Sequence, residues 1–141
     1  LSTYADTSFL VSLYLPDRHS AATEQRMAAK PKIWLTPLHV AEWSHAVAQH
    51  VFRKEISPRE AQQAYEEWER DCGNGLWLTA ELPDEVWKTC ADLARKHGNK
   101  LGIRTLDSLH VASALELGAK AFWTFDERQA RLAAAVGLPT F

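Results

Sequence analysis

Short apolar stretches of four or five residues, each passing directly into a helix-patterned segment, constrain this chain more than any other feature of its sequence. Leu1 to Ala5, Ile33-Trp34-Leu35-Thr36, Leu76-Trp77-Leu78-Thr79 and Ala121-Phe122-Trp123-Thr124-Phe125 are aliphatic or aromatic and bounded by turn chemistry, as buried strands are. Between them the pattern is helical. Thr7 to Leu15 is apolar on most faces and stops at Pro16, and Asp17 to Ala29 is a more polar helix followed by Pro31. Thr36-Pro37 opens a helix to about Lys54, because a hydroxyl can cap it and proline in its first turn wastes no donor. Its apolar stripe is Val40, Val47 and Val51, with Ala41, Ala48 and Phe52 beside it. Ser57-Pro58-Arg59-Glu60 is a capping box opening a helix that ends before Gly73-Asn74-Gly75. Pro83 opens another to about His97, with a loop from Gly98 to Gly102, and Thr105 to Leu117 is a helix closed by Gly118. Asp126-Glu127-Arg128-Gln129 is a second capping box, starting a helix to Val136, and residues 137–141 are compatible with an edge strand.

Short strands alternating with longer helices specify a three-layer α/β/α domain with a short, mostly parallel central sheet flanked by helices. The 141 residues fit one such domain spanning 1–141, with no repeat, low-complexity tract or linker. In sheets of this kind ligands bind at the carboxyl ends of the strands. Cys72 and Cys90 are too far apart for a CxxC motif, and two thiols without a framework suit a reducing, cytoplasmic setting. Phe9 to Leu15, interrupted by Ser12 and lacking a basic flank, is neither a secretory signal nor a membrane span. The absence of an initiator Met leads us to expect a trimmed or processed N-terminus.

Four acids punctuate the strand and helix starts. Asp6 and Asp126 each follow a strand, Asp107 lies in the first turn of its helix, and Glu42 lies in the second turn of the helix begun at Thr36. Taken singly, each is more readily structural. Asp6 and Asp126 are good N-caps, Asp107 suits the positive end of a helix, and Glu42 could face solvent. Taken together, they share one rim of the sheet. Carboxylates crowded there repel one another and raise each other's pKa, a penalty that a hard, oxygen-seeking cation removes. Such a cation would also acidify a bound water and stabilise charge on a phosphoryl oxygen.

The runs Tyr4-Ala5-Asp6-Thr7-Ser8-Phe9-Leu10, Val40-Ala41-Glu42-Trp43, Asp107-Ser108-Leu109-His110-Val111-Ala112-Ser113-Ala114 and Trp123-Thr124-Phe125-Asp126 resemble, in order and spacing, those of a PIN domain. Length and motif style look most like the VapC toxin of bacterial VapBC type II toxin–antitoxin pairs, and the likeness covers essentially the whole chain. The resemblance implies a Mg²⁺- or Mn²⁺-dependent endoribonuclease. Asp6 and Asp107 would be the principal metal ligands, with Glu42 and Asp126 completing the acidic cluster directly or through waters. One carboxylate would orient or deprotonate the attacking water, leaving a 5′-phosphate and a 3′-hydroxyl. Thr7, Ser8 and Thr124 would support the acids from behind. The resemblance further implies a homodimer and a cognate antitoxin whose C-terminal segment covers the active-site groove.

The net charge of −2 argues against a module that coats nucleic acid through a basic surface, so RNA binding would have to rely on local charge. Arg104 and Arg128, with Arg95, Lys96, Lys100 and Arg131 nearby, are either phosphate contacts or a solvated helix face. Of the six tryptophans, Trp34, Trp77 and Trp123 read as core. Trp43, Trp68 and Trp87 read as core or as a partner surface. The histidines form no zinc pattern, although His39 shares a helix face with Glu42. A haloacid-dehalogenase-like phosphatase would need a second Asp where Ser8 stands, and a receiver domain would need an acidic pair ahead of Asp6. The alternative outside the enzymes is a catalytically degenerate PIN scaffold that binds RNA or a protein partner.

Overall fold

The computed structural model describes residues 1–140. Its strands are β1 (Ser2–Ala5), β2 (Lys32–Leu35), β3 (Leu78–Thr79) and β4 (Ala121–Trp123). They form a sheet in the order β3-β2-β1-β4 with every pairing parallel. The helices are α1 (Thr7–Tyr14), α2 (Ser20–Met27), α3 (Pro37–Phe52), α4 (Pro58–Gly73), α5 (Val86–Leu93), α6 (Asn99–Leu101), α7 (Thr105–Glu116) and α8 (Glu127–Ala135).

Strand periodicity separates two cores. Tyr4 and Phe122 point to one face, where they pack with Val86 of α5, Val111 of α7 and Leu132 of α8. Ala5, Ile33 and Leu35 point to the other, against Phe9 and Leu10 of α1, Trp43 of α3 and Trp68 of α4. Both faces are covered, which is why the strands read as continuous apolar runs rather than alternating ones. Tyr4 pairs in register with Phe122 and Ala5 with Trp123. The chain leaves β1 toward β2 on one side and reaches β4 on the other. The carboxyl ends of β1 and β4 therefore flank the switch point, where a crevice opens in such sheets.

Four local details differ from the sequence reading. On α3 the buried stripe is His39, Trp43 and Val47, whereas Val40 and Phe52 are 41% and 82% exposed. The stripe is rotated because His39 is buried with both ring nitrogens bonded: Nδ1 accepts the Thr36 N–H at 3.0 Å, and Nε2 donates to the Ala5 carbonyl at 2.8 Å. Trp43 stacks on Trp68 with centroids 4.3 Å apart. The helix after Pro83 does not give way to a loop at Gly98. It continues through a π turn over Ala94–Gly98 into α6 and stops at Gly102, whose φ of +63° is easy only for glycine. The third strand is two residues long. Residues 137–140 are not a strand, although the Phe122 N–H donates to the Pro139 carbonyl at 2.8 Å, and Phe141 lies outside the described residues. Among the described residues, no helix is long and apolar enough to cross a membrane.

Candidate active site

A cleft of about 350 Å³ opens at the carboxyl rim of the sheet, and Asp6, Glu42, Asp107 and Asp126 all line it. Four separate segments deliver them. Asp6 follows β1 and caps α1, Asp126 follows β4 and caps α8, Glu42 rises from α3, and Asp107 sits in the first turn of α7.

Asp6 is only 4% exposed. Its Oδ1 accepts from the Ser8 hydroxyl at 2.6 Å and the Phe9 N–H at 3.2 Å, and its Oδ2 from the Thr124 hydroxyl at 2.8 Å. Burial nonetheless pushes its pKa above the ordinary carboxylate value, against the opposing pull of His110 and these donors. Thr124 does a second job, since its oxygen accepts the Asp126 N–H at 3.0 Å and so joins the caps that follow β1 and β4.

Glu42 is held through one oxygen. Its Oε1 accepts from the Thr7 hydroxyl at 2.7 Å and also meets Nε2 of His110. Burial alone would raise the Glu42 carboxyl, but the His110 bond and charge and the Thr7 hydroxyl outweigh it and hold the group below its usual value. His110 is itself 2% exposed, and its Nδ1 lies 2.7 Å from the Tyr4 hydroxyl. An ionised carboxylate is an acceptor only, so Nε2 must carry the hydrogen in that contact.

Asp107 and Asp126 are held differently. Asp107 Oδ2 accepts the Arg104 N–H at 3.1 Å, and its Oδ1 accepts from Gln129 Nε2 at 3.2 Å. Asp126 Oδ1 accepts the Gln129 N–H at 2.9 Å. Gln129 thus ties the two acids together, and its own Oε1 is buried with no hydrogen-bond partner among the described residues.

Ser8 and Thr124 therefore donate to Asp6, and Thr7 donates to Glu42. Arg104 places its Nε 3.8 Å from Asp107 but is 78% exposed in its side chain. Arg128 is exposed on α8 and does not line the cleft, and Arg131 pairs with Glu127 at 3.6 Å. Tyr4 as a polar partner and His110 escaped the sequence reading, and Gln129, read there as closing a capping box with Asp126, sends its side chain to Asp107 instead while the Asp126 N–H goes to Thr124. The available signal was spacing, since His110 and Gln129 each stand three residues after a cleft acid on the same helix.

Among the described residues, no three His, Cys, Asp or Glu side chains stand close enough to form a ready-made metal cluster. The donor set still fits a hard cation that keeps most of its water. Its charged groups are carboxylates, and the orphaned Gln129 Oε1 is an acceptor awaiting a donor such as a bound water.

A fold of this topology is a parallel α/β architecture whose ligand crevice lies at the switch point, where the four acids converge. The model of the PIN-domain family matches residues 3–135, and the chain belongs to that family. Solved structures agree on the fold. Mycobacterium tuberculosis VapC20, described as a sarcin-ricin-loop-cleaving toxin, superposes with a TM-score of 0.70 at 16% identity, covering 97% of this chain and 96% of its own. FitAcB from Neisseria gonorrhoeae gives 0.73 at 16% identity over 99% and 96%. VapBC2 from Rickettsia felis, solved with a promoter DNA fragment, gives 0.65 at 16% over 100% and 98%. No curated protein sequence matches the chain.

Proposed function

We propose that the protein is a Mg²⁺- or Mn²⁺-dependent endoribonuclease and the toxin of a type II toxin–antitoxin pair. The observation that carries this reading is the convergence of Asp6, Glu42, Asp107 and Asp126, from four segments, on one rim cleft. Membership of the PIN family supports the nuclease chemistry, and the toxin names of the structural neighbours support the biological role.

Asp6 and Asp107 would be the principal ligands of the ion, with Glu42 and Asp126 acting directly or through its waters. When bound, the ion would supply an acidified water and charge stabilisation at the phosphoryl oxygens. The residues of the chain do the rest. Ser8, Thr124 and the Phe9 N–H fix Asp6, so its charge is placed before substrate arrives. A cleft carboxylate would accept the proton of the attacking water as its oxygen bonds to phosphorus and the bond to the 3′-oxygen breaks, the departing oxygen taking a proton from solvent water. The products are a 5′-phosphate and a 3′-hydroxyl. Arg104, exposed beside Asp107, would meet an RNA phosphate, and the exposed Arg128 would meet one farther out.

A cognate antitoxin would silence the site by covering the cleft, in keeping with VapBC2 and FitAB being named as two-component complexes. Homodimerisation would use exposed apolar side chains, of which Trp87 (60% exposed) and Phe52 are the largest.

The test is incubation of total RNA with the purified protein in Mg²⁺, in Mn²⁺ and in EDTA, followed by end mapping. Discrete metal-dependent fragments bearing 5′-phosphates are expected. No cleavage in either metal would turn the reading to a scaffold that binds RNA or a partner without cutting.

A further inference from the structure

Among the described residues, His110 is the one buried basic side chain that reaches a cleft acid, and neither the acidic-cluster chemistry nor the family match gives it a part. It projects from α7 one turn after Asp107 and ends on Glu42, which belongs to α3. Its other nitrogen faces the Tyr4 hydroxyl of β1. Thr7, at the start of α1, donates to the same Glu42 oxygen and lies 3.4 Å from His110 Nε2. Three elements, α1, α3 and α7, thus meet on Glu42 Oε1, and β1 backs the contact through His110. Among the described residues, no hydrogen bond reaches Oε2.

We propose that His110, anchored by Tyr4 and assisted by Thr7, is a positioning residue that clamps Glu42 through Oε1 and so reserves Oε2 for the cation or its waters. This rests on the metal-dependent nuclease reading above. The physical case is one of freedom. A glutamate on a helix surface samples many rotamers, and ordering it at the moment of binding costs up to about 1.5–2 kcal/mol. Glu42, with a side chain 25% exposed, is open enough to swing away. Two donors on one oxygen remove that freedom beforehand. They also keep Glu42 from offering both oxygens at once, so it would bind through one. The role differs from that of a core histidine such as His39, whose ring bonds only backbone and Thr36.

The test compares wild type, His110→Leu, His110→Gln and Thr7→Val, each alone and in a Glu42→Ala background. Three quantities are read: thermal stability, Mn²⁺ affinity of the RNA-free protein by calorimetry, and kcat and KM on a short RNA. Removing a partner that orients a metal-binding carboxylate is expected to weaken Mn²⁺ binding about 10- to 100-fold. His110→Leu should show that loss and a matching fall in kcat, with KM for RNA little changed. His110→Gln keeps an N–H donor near Nε2 and should recover most of both. In the Glu42→Ala background, His110→Leu should change neither, because the residue acts through Glu42. Should His110→Leu fail to fold, Thr7→Val carries the same comparison, with a smaller loss expected.

Wild-type Mn²⁺ affinity and kcat in folded His110→Leu would overturn the clamp alone. Equal losses with and without Glu42 would also overturn it. A wild-type protein that neither binds Mn²⁺ nor cuts RNA would overturn the nuclease reading, and the clamp with it.

Discussion

The two halves of the cleft are built on different principles. On the side of β1 and α3, Asp6 and Glu42 are gripped by side chains: Ser8, Thr124, Thr7 and His110, most of them buried. On the side of α7 and α8, Asp107 and Asp126 are held chiefly by helix-start N–H groups and by one glutamine, beside an exposed arginine. The first half is rigid before any ligand arrives, and burial makes its central charge unfavourable. Exposure of the acids does not separate the halves, since the side chain of Glu42 is 25% exposed and that of Asp107 13%; the second half differs in its neutral and backbone donors and in the exposed Arg104 beside it. On the proposed reading, a centre that held a dication and admitted a polyanion would gain from acids fixed in advance, because preorganised charge stabilises a transition state without reorganising.

The largest expected effect comes from breaking the rigid half. Asp6→Asn should lower cleavage by more than about 100-fold, beyond what loss of a mere supporting group does. The folded state should persist, since asparagine also caps helices well. Removal of a buried, raised carboxyl should leave the metal-free melting temperature equal or higher. Kinetics paired with a thermal melt checks both, and a collapsed fold would mean that Asp6 is a structural cap first.

Thr124→Val strikes the joint between the halves, for it removes the donor to Asp6 Oδ2 and the acceptor of the Asp126 N–H. A loss of about 10- to 100-fold in Mn²⁺ affinity is expected. Ser8→Ala, which touches only Asp6, should do less. If the two variants match, Thr124 does not link the halves.

Gln129→Leu tests the half built on α7 and α8. Asp107 would lose one hydrogen bond from a neutral amide to its carboxylate, worth about 1.5–3 kcal/mol, while its Arg104 contact persists. Activity should fall by only a few-fold, and a loss as deep as that of Thr124→Val would erase the distinction between the halves.

The smallest effect concerns stability rather than catalysis. Burial, with the charge of His110, pushes His39 down to about 3 from an ordinary 6.5. Between those values the unfolded chain binds the extra proton and the folded chain does not, so stability rises with pH across that window. The contribution is fully present above the unfolded value and lost as pH falls toward 3. Melting temperature compared at pH 7 and pH 5.5 should drop more for wild type than for His39→Gln. Equal drops would show that His39 is protonated in the fold.

Much of this was legible in the sequence because it is local. Asp6 and Asp126 could be placed on the rim from strand composition and cap chemistry, and parallel pairing follows from short apolar strands separated by helices. What the sequence hid depends on distant partners. His110 sits in an apolar helical run, and its contacts with Tyr4 and Glu42 span 106 and 68 residues. Periodicity alone puts Val40, Val47 and Val51 on the α3 stripe, because a histidine counts as polar until both nitrogens are known to be bonded. Gly98 looked like a breaker, yet it takes helical angles (φ −61°) inside a π turn, and Gly102 ends the helix instead. Arg104 could have been an RNA contact or a solvated residue; its backbone and guanidinium both sit beside Asp107 while its side chain stays open to solvent.

The central claim is that the two halves form one metal centre. Its most direct test is a calorimetric Mn²⁺ titration of RNA-free wild type, Asp6→Asn and Asp107→Asn, one variant from each half. Saturable binding by wild type and its loss in both variants, with their melts intact, is the expected result. Wild-type affinity in either variant would contradict it, because the cation would then be held without one half of the cleft.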